Sequence, residues 1–248
     1  MLPVVLTDIG LLIVFTGAIS VLKPLTFLGV SNRAWAVGVL VTGLLVAVVA
    51  TRLPASETTV GSTKNILDRL TPVYQFHEVH SATVQASPER VYRAIKAITA
   101  DEILLFRTLI AIRQLGRPLP ASVTSLPEHM PLLEIATRTT FVLLADMPNE
   151  IVVGTVVHVP PDFGKWRPRT PDEFLALRSR PGFALATMNY LIEPAGVGAS
   201  VVSTETRVYA TDAPSRRQFA VYWRIIYPGS ALMRRMWLRA LRLRVEAA

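Results

Sequence analysis

The chain of 248 residues contains no cysteine. That removes disulfide scaffolds, thiolate zinc sites, iron–sulfur clusters and cysteine nucleophiles together. It says nothing about compartment, because disulfide-free domains exist on both sides of a membrane. Charge is scarce as well: 18% of residues are charged, against about 25% in an average soluble domain. With 51% hydrophobic residues, the chain is too apolar for intrinsic disorder. Also missing are an HExxH pattern, a GxSxG elbow and a phosphate loop. His77 and His80 stand three apart on an expected strand, so they point to opposite faces and do not share a metal. No metal and no cofactor is expected.

The apolar excess is concentrated in two runs. Residues 2–22 carry one charge, Asp8, and residues 34–50 carry none. A helix crossing the hydrocarbon core needs roughly 17–25 mostly apolar residues, so both runs qualify. Between them, KPLTFLGVSNR supplies Pro24, Gly29, Ser31 and Asn32 as breakers. The pattern predicts a transmembrane helical hairpin over residues 1–53 and an integral membrane protein with two spans. A cleaved signal peptide would need a basic segment before the apolar core, and no Lys or Arg precedes Lys23. Gly43 and Ala47 form a small-xxx-small pair, and Gly10, Thr16, Gly17 and Ser20 also suit close helix contact. These small residues pack the two spans together and also allow a homo-oligomer through the hairpin. The loop holds Lys23 and Arg33, and Arg52, Lys64 and Arg69 follow the second run. The excess of basic residues after the second run predicts a cytoplasmic C-terminal domain.

Residues 54–72 are rich in Thr, Ser, Pro and Gly and read as a linker with one helical turn at 65–70. From Val73 the periodicity changes. Residues 74–84 read as a strand, and Ser87-Pro88 opens a helix with Val91, Tyr92, Ile95 and Ile98 at helical spacing. A second helix is expected over 103–115, then a proline-rich coil over 118–131. Residues 141–145 and 151–159 form a hairpin, and residues 183–192 and 200–210 form another. A short helix is expected near 172–177. A long last helix starts at Asp212 or Ser215 and runs to about Val245, broken or kinked at Pro228-Gly229. Strands grouped without intervening helices make an antiparallel sheet. The fold class is α+β: a curved antiparallel sheet gripping a long C-terminal helix over residues 73–248, with a cavity between them.

The succession YQFHEVHSATVQASPERVYRAI, LLADMPNEIVVG and TMNYLIEPAGVGASVVSTETRVYATD, followed by a terminal helix, resembles the START-like helix-grip superfamily over residues 73–246. That group includes polyketide cyclases, lipid-transfer domains and pollen allergens. The resemblance implies a hydrophobic small molecule or lipid bound between sheet and terminal helix. It carries over no catalytic residue, because the group has no universal catalytic motif.

On the strand 201–209, Glu205, Arg207 and Tyr209 share a face with Val201 and Ser203. Asn189 lies on the neighbouring strand, and Tyr222 and Trp223 lie on the apolar stripe of the last helix. If these faces line the cavity, Asn189, Glu205, Arg207, Tyr209, Tyr222 and Trp223 are ligand-binding candidates, a polar spot in an apolar pocket. A charge pattern facing solvent is the alternative for Glu205 and Arg207. Residues 213–248 carry eight arginines and one acid. Arg235, Arg239 and Arg242 form the polar face of that helix, opposite Met233, Met236, Trp237, Ala240 and Leu241. Such a face is either solvated or held against anionic headgroups, at about 1 kcal/mol per basic residue. No nucleic-acid reader motif is present and no nucleic-acid partner is expected. Three readings stay open: a membrane-anchored carrier of a hydrophobic ligand, a cyclase or dehydratase on the same fold, and a pocketless membrane adaptor.

Overall fold

The computed structural model describes residues 2–106, 108, 110, 130–164 and 166–247. Both apolar runs are helices, α1 (Leu2–Leu22) and α2 (Arg33–Arg52), each long and apolar enough to cross a membrane. The turn between them is set by local chemistry. A 3-10 turn at Thr26–Leu28 closes on Gly29 at φ 78°, a conformation that favours glycine. The Asn32 side chain then accepts from the Trp35 amide at 3.0 Å and caps α2. Apart from Val4, the buried faces are small: Thr7, Gly10, Gly17 and Ser20 on α1, and Ala36, Gly43, Ala47 and Ala50 on α2. Thr16 is half-buried and bonds its own helix at the Leu12 carbonyl. Large apolar side chains, among them Leu12, Phe15, Trp35, Leu45 and Val49, point outward.

The chain divides into two units, Met1–Ala55 with Arg217–Tyr227, and Ser56–Arg216 with Pro228–Ala248. In the first unit the buried Arg224 guanidinium donates to the Thr51 and Leu53 carbonyls at 2.6 and 2.5 Å. It thereby satisfies acceptors at the end of α2 that the helix itself leaves open.

The second unit is an α+β domain. Strands β3 (Phe76–Val84), β4 (Val142–Met147), β5 (Glu150–His158), β6 (Ala184–Pro194) and β7 (Ser200–Ala210) form one antiparallel sheet in the order β3-β7-β6-β5-β4. Two of its neighbouring pairs are hairpins: β4 to β5 turns at Pro148-Asn149, and β6 to β7 turns through Gly196 and Gly198, both at positive φ. One face of the sheet packs against α4 (Pro88–Ala97) and the last helix, α7 (Ala213–Ala247). Val91, Ile95, Ile151, Val202, Trp237 and Leu241 form that core. The other face packs against α6 (Pro171–Ala176). There the Phe174 ring lies 2.8 Å from where a Cβ of residue 154 would stand, so glycine is required.

Three features depart from expectation. Residues 56–72 do not form a tether. They carry β1 (Thr58–Thr59), paired antiparallel with β2 (Val73–Tyr74), and α3 (Ile66–Leu70). An Asn65–Asp68 capping box opens α3, and Leu67 and Asp68 are buried. A helix α5 (Leu132–Thr139) follows Pro131, where a coil was expected to lead straight into a strand. Helix α7 starts on an Asp212 cap to the Ser215 amide, 2.8 Å away, and stays helical through Pro228, since a proline removes a single helical donor. Most of the helix expected at 103–115 and of the coil expected at 118–131 lies outside the described residues.

Candidate functional site

A cavity of about 200 Å³ lies between the sheet and residues 230–237 of α7. Its walls are chiefly apolar. Ile95 and Ile98 come from α4 and its end, Ile103 and Phe106 from the segment beyond, Leu132, Leu133 and Ala136 from α5, and Val153 from β5. Across the sheet, Met188 and Tyr190 rise from β6 towards Met233 and Trp237 of α7, with the Tyr190 and Trp237 rings 4.5 Å apart. Polar groups gather at one corner. Ser230 and Arg234 are one helical turn apart and both line the space. The Arg234 guanidinium donates to the Thr204 and Thr206 hydroxyls at 2.8 and 2.7 Å and touches the Met188 sulfur. Ser230 donates to the buried Glu78 carboxylate at 2.7 Å, and His80 meets the same carboxylate at 2.9 Å. Burial pushes the Tyr190 phenol above its ordinary range, with the nearby Arg234 charge pulling the other way.

The even-numbered residues of β7 therefore face the cavity side, and the odd-numbered residues that the sequence singled out face away. Period-2 alternation assigns the two faces but not which of them meets the helix. Asn189 and Arg207 are buried and Glu205 is half-buried on the opposite face, against the segment 56–72. Arg207 is the centre of that cluster. Its Nε donates to Glu205 at 2.6 Å, an Nη to Asp68 at 2.7 Å, and the other Nη to the Thr71 carbonyl at 3.2 Å. The Tyr74 ring lies 4.9 Å from its guanidinium carbon. His77 meets Glu205 at 2.9 Å. Asn189 donates to Glu150 at 2.7 Å and accepts from the Glu205 amide, while Glu150 also accepts from the Ile66 and Leu67 amides at the start of α3. Every polar group here has its partners in the protein. Tyr209 lies on the same face, under the Arg178 guanidinium at 5.2 Å. Neither Tyr222 nor Trp223 lines the cavity. Both belong to residues 217–227, where they stack with Phe219. Arg235, Arg239 and Arg242 are exposed.

The residues that do line the cavity were half legible. Met233 and Trp237 belong to the apolar stripe already apparent on the last helix. Tyr190, Ser230 and Arg234 were missed. Their signal was the small, even-numbered face of β7, Val202, Thr204, Thr206 and Val208, which leaves room for a helix and its arginine. Among the described residues, no three His, Asp or Glu side chains gather to hold a metal ion.

The Arg207 cluster carries a pH dependence. Burial pushes the Asp68 carboxyl up, but bonds from the Lys64 amide and Arg207 outweigh it and leave it below the usual range. Glu205 likewise is pushed up by burial and drawn lower still by His77 and Arg207. Groups with depressed folded values contribute stability above their unfolded values, about 4 for Asp and Glu, and lose it as pH falls through the folded ones. The melting temperature of the full-length chain should therefore hold between pH 7 and 5 and fall steeply below pH 4. An Asp68→Asn, Glu205→Gln variant should show a shallower acid limb.

The chain matches no protein-family model and no curated protein. Among solved structures it is similar to TTHA0849 from Thermus thermophilus, with 13% identity over 69% of this chain and 98% of that one, at a TM-score of 0.26. It is also similar to norcoclaurine synthase from Thalictrum flavum, with 14% identity over 77% of this chain and 97% of that one, at the same score. The description of the fold rests on the strand order and the terminal helix themselves.

Proposed function

We propose that this chain is a membrane-anchored protein of the START-like helix-grip kind that holds a hydrophobic small molecule or lipid beneath its C-terminal helix. The observation that carries the reading is the cavity, walled by Ile98, Phe106, Leu133, Tyr190 and Trp237. Pockets of mostly apolar lining with a few convergent polar groups are the usual make-up of ligand sites. A pocketless adaptor would have a filled interior at this place. The cyclase or dehydratase reading loses its named residues, since Asn189, Glu205, Arg207 and Tyr209 are engaged on the other face of the sheet.

The bilayer as partner rests on α1 and α2. Their outward side chains, such as Leu12, Phe15, Leu45 and Val49, are exposed along both helices, and an exposed apolar surface of this kind suits a membrane contact. In this reading the hairpin spans the membrane twice, with the C-terminal domain in the cytoplasm. Arg235, Arg239 and Arg242 then face anionic headgroups.

The test is recovery of cargo from the full-length chain. The protein should stay with membranes through a carbonate wash, and native mass spectrometry after gentle extraction should show a stoichiometric apolar adduct. Ala136→Phe, which places a ring in the cavity, should lose the adduct. Release into the wash, or an adduct that Ala136→Phe leaves in place, overturns the reading. The charge reversal of Arg235, Arg239 and Arg242 to Glu should lower the yield of the protein's crosslinking to phosphatidylserine in vesicles by more than about tenfold and abolish the decline of that yield with added salt. An unchanged yield assigns that face to solvent.

A further inference from the structure

We infer that the ligand is a small uncharged molecule with a single acceptor oxygen, which takes the hydrogen bond of the Tyr190 hydroxyl while its carbon body lies among Ile98, Phe106 and Leu133. The inference deepens the cavity reading above and rests on it. Size comes first. An apolar cavity of about 150 Å³ accepts benzene, and drug-sized ligands occupy roughly 300–1,000 Å³. A space of about 200 Å³ therefore takes a molecule on the order of ten non-hydrogen atoms, which excludes a whole phospholipid from the interior.

The charge of the ligand follows from what is already engaged. Arg234 is not open to an incoming group: its guanidinium is held by the Thr204 and Thr206 hydroxyls and the Met188 sulfur. The Glu78 carboxylate is taken up by Ser230 and His80. These two charges are of opposite sign and each is bonded within the protein. An ionic end entering the cavity would lose its water and meet no free counter-charge among the described residues, which is a costly burial for either sign.

Tyr190 differs. Every fully buried side-chain nitrogen and oxygen among the described residues has a partner, and the Tyr190 hydroxyl has none. Its oxygen therefore opens on the cavity that the residue lines. Stacking on Trp237, with the rings 4.5 Å apart, orients the phenol before any ligand arrives. Burial keeps the hydroxyl protonated, so it carries a proton to donate. A phenol donates more readily than it accepts, because its oxygen lone pair is shared with the ring. A ligand that brings a carbonyl or ether oxygen satisfies this donor, whereas a hydrocarbon of the same shape leaves it unmet.

Four probes of one shape separate these terms: 4-phenylbutan-2-one, isopentylbenzene, 3-phenylpropionate and 4-phenylbutan-2-amine. Binding is measured by tryptophan fluorescence on the full-length chain in phosphatidylcholine nanodiscs, with empty nanodiscs as the reference for partition into lipid. The ketone should bind at least about tenfold more tightly than the acid or the protonated amine, because an uncompensated charge costs more to bury than a carbonyl. Tyr190→Phe keeps the ring against Trp237 and removes a donor without a partner, so the melting temperature should not fall. That substitution should weaken the ketone about fivefold, the value of one net hydrogen bond, and leave isopentylbenzene within about twofold. An acid or amine that binds the wild-type chain as tightly as the ketone overturns the uncharged assignment. A ketone affinity that Tyr190→Phe leaves unchanged overturns the acceptor. Either result leaves the apolar cavity standing. If none of the four binds, the cavity reading itself falls. The ranking of the ketone against the two ions needs no substituted protein, so it holds whatever the variant does.

Discussion

Arg207→Met should lower the stability of the second unit by about 3–5 kcal/mol, the range expected when one partner of a buried ionic network is removed. The side chains of Arg207 and Asp68 are each 6% exposed and that of Glu205 is 15% exposed. Methionine matches the arginine stem but donates nothing. Asp68 would keep its bonds from the Lys64 and Asn65 amides, and Glu205 would keep His77. Two carboxylates would nonetheless face each other across a buried space with no cation between them. A domain stable by roughly 5–15 kcal/mol has little left after such a loss. The check is the shift in denaturation midpoint of the full-length protein, followed by circular dichroism in the strand region. Adding Asp68→Asn and Glu205→Gln to Arg207→Met should recover more than half of the loss, because the penalty is for uncompensated charge. A contrast is at hand on the surface. Lys96 and Asp146 pair at 2.6 Å with side chains 42% and 29% exposed, and Asp146→Ala should cost less than about 1 kcal/mol. If the two substitutions cost the same, Arg207 is not the centre of a buried network.

The second large effect concerns the hairpin. A Cβ at residue 43 would stand 2.6 Å from the Val14 amide nitrogen and 2.9 Å from the Gly10 carbonyl. At residue 17 it would meet the Leu40 nitrogen at 2.6 Å, and at residue 10 the Ala47 nitrogen at 2.7 Å. The obstacles are backbone atoms, so no side-chain movement relieves them. Three glycines spread along the helices thus set the distance between α1 and α2. Where the surroundings are as apolar as the helices, packing of this kind is the main source of their association. Gly43→Leu should push the helices apart at a cost above about 2 kcal/mol, beyond the middle of the range for overpacked sites. Gly38 has nothing within 4 Å of its Cβ position, so Gly38→Leu should be neutral. Because the chain lacks cysteine, a pair introduced at the buried positions Ser20 and Ala36 reports the hairpin cleanly. A short thiol crosslinker should join them in the parent and in Gly38→Leu, and fail in Gly43→Leu. Efficient crosslinking in Gly43→Leu would mean that the glycines do not govern the approach.

These two sites also mark how far the sequence could be read. Most helices, the two hairpins and the antiparallel sheet follow from local signals: apolar runs of helical length, Gly and Pro turns, and alternation. Residues 200–210 were legible as a strand to the residue, because Pro194, Gly196 and Gly198 delimit it. The destination of each strand face was not legible. On β7 both faces mix polar and apolar side chains, and the more highly charged one looked like a ligand site. Its true partner, Asp68, sits in a Ser-, Thr- and Pro-rich stretch whose composition resembles a tether. Nothing local in that stretch announces a contact with a residue far along the chain. Helix α5 was missed for a related reason: eight residues after a proline-rich run are too few for a clear helical period. The polar corner of the cavity needed two elements at once. Arg234 on the last helix looked like one more cation of a basic surface until Thr204 and Thr206 were found beneath it.

The clasp on α3 has a consequence for how the chain is made. The amide of Ile66 waits for Glu150, 84 residues later, and the Thr71 carbonyl waits for Arg207, 136 residues later. A ribosome delivers the segment 56–72 long before either partner leaves the exit tunnel. Until then this stretch has only its own capping box and the two-residue β1–β2 pairing to order it, and it stays open to proteases and chaperones. Nascent chains arrested before β7 should be cleaved within 56–72, and those released after it should resist, so protection of the earliest part of the domain is decided by the last strand to be synthesised.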